Sequence, residues 1–357
     1  MSTPQPTREA KELAERAGLI HVSDTAPGIR RRRSGSGFFY LDSEAQKVRD
    51  AATLERIRKL AIPPAWRDVH IAPSPRASVQ AWGLDAKSRK QYRYHERAVE
   101  RGQLRKYYRV RELAKTLPEL RRRIRRDAAV REPTKRAVAA AVLQLVSESF
   151  FRIGSERYAE ENGTFGIATL RKRHAEIADG HAIFTYVGKR SIRQRQVVVN
   201  RALARLVARH LRSPGTRLFR YRDGTRWRNL TARDVNAYLR ERLGVPFSAK
   251  DFRTWGGTLR AATVLAELEP PGSETEGKRN VATAMRLVAA ELGNTPAICR
   301  KSYVHPIVLA RYLDEGETIR LPERYRATAS SYAHSPEERA LIRFLDEHFP
   351  ERRRRSR

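Results

Sequence analysis

Apolar residues along this chain follow two periods, and the period switches near residue 97. Between 18 and 97 they come in short alternating or aromatic runs, GLIHVS, FFYL, DVHIAP, ASVQAWGL and KQYRYHE, separated by turn residues, which predicts strands. Gly35-Ser36-Gly37, between the basic run Arg30 to Arg33 and FFYL, predicts a hairpin, and Pro63-Pro64 must end a short helix near 44–60. From 98 onward the spacing is helical: Ala98 to Ala114, Leu117 to Arg126, then Lys135 to Ser149, with Val138, Val142, Leu145, Val146 and Phe150 on one face. One exception interrupts the helices. HAIFTYV (181–187) and SIRQRQVVV (191–199) flank Gly188-Lys189-Arg190 and predict a second hairpin.

Helix ends are marked by capping residues. Thr231 with Asp234, Ser248 with Asp251, and Ser335-Pro336-Glu337-Glu338 are start signals, and Gly244 is a stop after Leu243. Gly293-Asn294-Thr295-Pro296 predicts another start, for a helix that carries Tyr303 and is broken by His305-Pro306. The chain therefore divides into a polar helical lead-in (1–17), a small sheet-rich domain (18–97), a larger mainly helical domain with a hairpin (98–327), and a C-terminal helix with a basic tail, ERRRRSR (328–357). The fold class is α+β, and 357 residues suit two domains with real cores.

Charge narrows the partners. Lys plus Arg number 73 against 40 Asp plus Glu, a formal charge of +33, while 40% of residues are hydrophobic. A folded protein with that excess calls for a polyanion; nucleic acid, an anionic membrane or a ribosomal assembly would each satisfy it. No stretch has the apolar length of a membrane span, and MSTPQPTREAKELAER lacks the apolar core of a signal peptide, so the expected location is cytoplasmic and the partner no membrane. A single cysteine, Cys299, excludes an internal disulfide and any CxxC zinc site. It is expected to be a small buried hydrophobe. There is no GxxxxGK[ST] loop, HExxH or acidic cluster fit for a Mg²⁺ pair, so chemistry on phosphodiesters is expected to run with no cofactor, ATP or metal. Fixed Arg, Lys and Tyr side chains would then carry the charge.

Three cations stand at unusual places: Arg152 in SFFRIGSERY, Lys189 at the hairpin tip, and Arg253 in KDFRTWGGT. Taken singly, each has an ordinary account: a solvated arginine, a solubilising tip lysine, and cation–π packing on Trp255. Together with their surroundings they resemble a family. PGIRRRRSGSGFFY, IPPAWRDVHI and GLDAKSRKQYRYH in the first domain, then FFRIGSERYAEENGTFGIATLRKRH, FTYVGKRSI, KDFRTWGGT and LGNTPAICRKSYVHP in the second, are similar in order and spacing to type IB DNA topoisomerases of the compact bacterial and poxvirus-like branch. The resemblance covers about residues 18–320.

That resemblance implies Arg152 and Arg253 as catalytic arginines, Lys189 as the hairpin lysine, Tyr303 as nucleophile, and Asn294 at a position that is often histidine, nine residues before Tyr303. An amide donates a neutral hydrogen bond at any pH where histidine may be charged. AWG also replaces the more usual ATG, and AKSRK the more usual AKGRK. Expected DNA contacts are Lys90, Gln91, Tyr92 and Tyr94, with Tyr92 and Tyr94 on one side of a strand and Gln91 a base-edge candidate, and Arg157, Tyr158 and Lys250 in the second domain. Tyr107 and Tyr108 are expected to pack. The implied activity is relaxation of supercoiled duplex DNA through a reversible 3′-phosphotyrosyl link, by a monomer that clamps DNA in the nucleoid. Two other functions remain open at this point. Tyrosine recombinases share the Arg, Lys, Arg, Tyr set but favour His-x-x-Arg where this chain has Lys250-Asp251-Phe252-Arg253, and a non-catalytic basic DNA-binding protein needs only the charge.

Overall fold

The computed structural model describes residues 14–15, 17–22, 26–321 and 332–349. Most of the expected lead-in and the ERRRRSR tail lie outside the described residues. The chain divides into two compact units, Met1–Lys106 and Tyr107–Arg357.

The first unit is built on a five-stranded antiparallel sheet of order β2-β1-β3-β4-β5, with β1 Ile29–Ser34, β2 Gly37–Leu41, β3 Arg67–Ile71, β4 Val79–Leu84 and β5 Lys90–Tyr94. The expected hairpin is there, with Ser34 paired to Gly37 across the turn. Helix α1, Ala51–Lys59, is shorter than the expected 44–60 piece because Asp50 caps it through the Thr53 N–H at 2.7 Å. Period-two alternation gives the sheet two faces. Ile29, Val69, Ile71 and Ala81 form one apolar cluster with Ile57 of α1. Along the other row, Arg30 pairs with His70, His70 with Trp82, and Trp82 with Tyr92.

The second unit centres on α3, Lys135–Ser149, capped by Thr134. The pattern predicted one apolar face, but Ala137 through Ser147 are all buried, because the alanines let neighbouring elements close on every side. Before it, α2, Glu96–Ala129, is one helix where two were expected. Pro118 lies inside it and cannot donate to the Ala114 carbonyl, and the His334 ring meets that oxygen at 2.7 Å instead. The lysine hairpin forms as expected from β7, His181–Val187, and β8, Arg193–Val198; an unforeseen strand β6, Ala175–Ala178, joins β7 to make a three-stranded sheet. A second small hairpin, β9 Arg220–Asp223 with β10 Arg226–Asn229, was also not foreseen, since its strands are mostly polar.

The remaining helices are α4 Glu156–Asn162, α5 Arg201–Leu211, α6 Ala232–Ala237, α7 Ala249–Glu267, α8 Glu274–Leu292, α9 Pro296–Ser302, α10 Pro306–Glu315 and α11 Pro336–His348. The capping boxes at Thr231, Ser248 and Ser335 form. No helix among the described residues is long and apolar enough to cross a membrane. Asp251 not only caps α7 but receives Arg109 at 2.8 Å, which fixes α7 on α2. At the far side Glu338 of α11, 4% exposed, accepts both Arg121 amino groups at 2.9 and 2.7 Å and the Trp255 indole N–H at 3.3 Å. Removing such a buried partner strands its cation, so Glu338→Ala is expected to cost on the order of 3 kcal/mol. Calorimetry would register this as a melting point lower by about 6–12 °C.

Candidate active site

The site is made where three chain segments end. The first is the C-terminus of α3, where Phe150 adopts a left-handed conformation (φ 51°) and turns the chain into Phe151 and Arg152. Gly154 (φ +85°) then brings the loop against Gly166, whose neighbour Ile167 donates its N–H to the Arg152 carbonyl at 2.8 Å. The second is the end of α8, where Gly293 (φ 58°) stops the helix and Thr295 caps α9 through the Ile298 N–H. The third is the end of α9: Tyr303 is not inside that helix, as the pattern predicted, but caps it (φ −130°, ψ −9°), because His305 and Pro306 already start α10.

Two arginines join these ends. Arg253, 3% exposed within α7, donates to the Phe150 carbonyl and, at 2.8 Å, to the Leu292 carbonyl. Arg152 donates to the Gly293 carbonyl at 2.7 Å and to Asn294 Oδ1. Among the described residues, then, these cations bond to backbone carbonyls, an amide and, for Arg253, the Tyr303 side chain, which solvate positive charge without the cancelling charge of a carboxylate. Because guanidinium has only donors, Asn294 must present its oxygen to Arg152. Its Nδ2, buried, is left with no hydrogen-bond partner among the described residues. The Arg253 guanidinium carbon lies 5.1 Å from the centroid of the Tyr303 ring. The expected packing of Arg253 on Trp255 is replaced by this contact, since the indole is turned to Glu338. Burial lowers the pKa of Arg253 from its ordinary value, with Tyr303 opposing and Arg152 adding to the shift. Burial also pushes the Tyr186 phenol up to about 12, although Arg152 and Arg253 pull it down, so this second nearby tyrosine is held protonated.

The backbone of Tyr303 is held from three sides. Tyr107 donates its hydroxyl to the Val304 carbonyl at 2.9 Å, consistent with the packing role expected of it. Thr258 accepts the His305 N–H at 3.1 Å. Gly257 lies so close that a Cβ there would stand 2.8 Å from the Tyr303 carbonyl oxygen and 3.3 Å from its Cβ. Neither Gly257 nor Thr258 was singled out from sequence; the signal was the glycine pair in TWGG, whose first member makes room for the Phe150 ring. Cys299 is fully buried, and burial raises its thiol to about 11.

Lys189 stands apart from these four. It is exposed on the 188–192 connection between β7 and β8, with no hydrogen bond or ring contact to Arg152, Arg253, Asn294 or Tyr303 among the described residues. Of the expected DNA contacts, Arg157 (bonded to Glu161 at 2.8 Å), Tyr158 and Lys250 are exposed on the second unit. In the first unit Tyr92 and Tyr94 stack at 5.7 Å on one side of β5, as their alternation predicted. The Lys90 ammonium sits 3.8 Å over Trp82, which itself stacks on His70 at 4.0 Å. Gln91 is half-buried and gives its amide to Asp85 at 3.0 Å. No group of three or more His, Cys, Asp or Glu side chains among the described residues is arranged to hold a metal.

Paired arginines that no carboxylate neutralises among the described residues, beside a tyrosine, have the donor geometry and charge that suit an anionic ester. Comparison with known proteins specifies the class. Residues 95–323 match the catalytic core of eukaryotic DNA topoisomerase I, and residues 37–85 match the N-terminal domain of bacterial DNA topoisomerase IB. A DNA topoisomerase 1B of Acanthamoeba polyphaga mimivirus is 34% identical over 298 residues, covering 81% of this chain and 89% of the viral protein. Those of vaccinia virus (strain Copenhagen) and rabbit fibroma virus are 26% and 25% identical over 247 residues, covering 65% and 66% of this chain and 72% and 73% of theirs. The chain belongs to the type IB DNA topoisomerases, which sets aside the recombinase and non-catalytic alternatives.

Two tests follow from the packing. Gly257→Ala is expected to displace Tyr303 and slow any covalent step by about tenfold or more, a loss of 1.4 kcal/mol or greater in positioning, with the far-UV circular dichroism unchanged. Cys299 is expected to resist iodoacetamide at pH 8 until the protein is unfolded; rapid labelling of the native chain, read by mass spectrometry, would show the burial to be wrong.

Proposed function

We propose that this type IB topoisomerase relaxes supercoiled duplex DNA by reversible transesterification at Tyr303, with neither ATP nor a required metal. The observation that carries the proposal is the pair Arg152 and Arg253, solvated by carbonyls and Asn294 but not neutralised, next to the Tyr303 ring. A phosphodiester set between them would receive bidentate donors on its non-bridging oxygens, with the free Asn294 Nδ2 as a further neutral donor. In the forward step a bond forms from Tyr303 Oη to phosphorus and the P–O5′ bond breaks. The phenolic proton passes to water, and the Lys189 ammonium gives a proton to O5′, a task that arginine with its far higher pKa performs poorly. In the reverse step the 5′-hydroxyl returns that proton and attacks phosphorus, and the tyrosine leaves. One phosphoester is exchanged for another, so no external energy is needed.

Half-buried Lys90 with exposed Tyr92 and Tyr94, and exposed Arg157, Tyr158 and Lys250, are the proposed contacts to DNA, chiefly to its phosphates, with Gln91 oriented by Asp85. A monomer with a charge of +33 acting on nucleoid DNA in the cytoplasm is the proposed setting.

The test is relaxation of a supercoiled plasmid in EDTA without nucleotide. The wild-type chain is expected to relax it fully, while Tyr303→Phe binds but neither relaxes DNA nor forms an adduct. Arg253→Lys is expected to lose about 10²-fold or more, since the compact ammonium of lysine lacks the planar fork that reaches two carbonyls and a phosphate in fixed directions. Relaxation that needs added metal, or that survives Tyr303→Phe, contradicts the proposal.

A further inference from the structure

The connection that carries Lys189 is supported from beneath by a side chain that no motif singled out. Gln194, in β8 and opposite Tyr186 in the hairpin register, is 8% exposed. Its Cγ lies 2.8 Å from where a Cβ on Gly188 would be, and its Cδ 2.9 Å from where a Cβ on Gly293 would be. Both positions are glycine, and Gln194 fills the space that each leaves. Its Nε2 lies 3.5 Å from the Ile192 carbonyl, the same oxygen that accepts the Gly188 N–H at 2.8 Å and closes the connection around Lys189. Gly293, on its other side, gives its carbonyl to Arg152 and precedes Asn294. One buried amide thus packs against both ends of the Lys189 connection and against the turn that bears the phosphate-facing Asn294. The same strand is anchored once more by Gln196, which accepts the Tyr186 hydroxyl at 3.0 Å and donates to the Ser149 carbonyl at 3.4 Å, just ahead of Arg152.

We propose that Gln194 is a positioning residue for proton delivery: it sets the height and direction of the Lys189 connection relative to the Arg152–Asn294 cluster. Lys189 makes no bond of its own to that cluster among the described residues, so its placement is left to the backbone that carries it, and Gln194 is where that backbone meets the site. The inference rests on the transesterification proposed above.

The chemistry supplies a readout that a merely structural role would not move. When P–O5′ breaks, the leaving alkoxide needs the Lys189 proton; when a bridging sulfur replaces O5′, the P–S bond breaks to a thiolate whose conjugate acid has a pKa of about 8.5, and no proton is needed. A defect in proton delivery vanishes on the sulfur substrate, whereas a defect in the phosphate clamp persists. Single-turnover cleavage of duplexes with 5′-oxygen and 5′-bridging sulfur would be compared for the wild-type chain, Lys189→Ala, Arg152→Ala, Gln194→Ala and Gln194→Met. Gln194→Ala is expected to slow the oxygen substrate by about tenfold or more and the sulfur substrate by less than about threefold, following Lys189→Ala and not Arg152→Ala. Gln194→Met, which keeps the volume but not the amide, guards against misfolding of the alanine variant and is expected to show a smaller loss with the same rescue.

Equal slowing on both substrates, or no slowing on oxygen, in the Gln194 variants while Lys189→Ala is rescued overturns the role of Gln194 alone. Failure of sulfur to rescue Lys189→Ala overturns the lysine as proton donor, and absence of any adduct with the wild-type chain overturns the transesterification itself.

Discussion

Arg253 is a buried cation whose hydrogen-bond partners among the described residues are two backbone carbonyl oxygens and the Tyr303 side chain, with no carboxylate, and the geometry of the site depends on that choice. Desolvating a guanidinium costs several kcal/mol, which a carboxylate would ordinarily offset by pairing with it. Here the carbonyls of Phe150 and Leu292 offset part of that cost and leave the charge unspent. They are also the ends of α3 and α8, so the contact that solvates the cation is the one that brings Arg152 and Asn294 to Tyr303. In the proposed reaction that residual charge, in a buried setting where effective dielectric is low, acts strongly on an incoming phosphate and needs no reorganisation when negative charge develops.

Rigidity around the tyrosine follows the same logic. A tyrosine at the end of a short helix would fray if left alone, but α9 is followed within two residues by the His305 cap of α10. Thr258 holds the His305 N–H, Tyr107 holds the Val304 carbonyl, and Gly257 lets α7 approach without a side chain between. The lysine is instead exposed, carried on the connection between β7 and β8 of the three-stranded sheet. In the proposed reaction, a site divided in this way keeps the phosphate clamp fixed and leaves proton delivery to an element that packs on Gln194 and Gln196.

Much of this was legible in the sequence because it depends on local signals. Capping boxes at Thr231, Ser248 and Ser335, the Ser34–Gly37 turn, and the hairpin about Gly188 each need only a few adjacent residues, and each formed. The gathering of Arg152, Arg253, Asn294 and Tyr303 was legible only through the family motifs, since nothing in spacing brings residues 152 and 294 together. What escaped was set by long-range contacts. Pro118 argues for a broken helix until His334, more than two hundred residues on, takes the orphaned carbonyl. Strand β6 and the β9–β10 hairpin lack apolar alternation and exist through their pairing. Gly257 and Gln194 carry no chemical signal of their own, and their meaning appears only when Tyr303 and Gly293 are seen beside them.

The central claim, that Tyr303 exchanges esters with a phosphate held by uncancelled arginine charge, is tested most directly by trapping the protein in EDTA on a nicked duplex labelled throughout its phosphates with ³²P, so that the scissile phosphate itself carries the label, and mapping the adduct. After trypsin and nuclease digestion, the account predicts a nucleotide on the peptide Ser302–Arg311, which contains Tyr303 as its only tyrosine. Label on a peptide bearing Tyr158, Tyr186 or any other tyrosine, or no covalent label without metal, would contradict it.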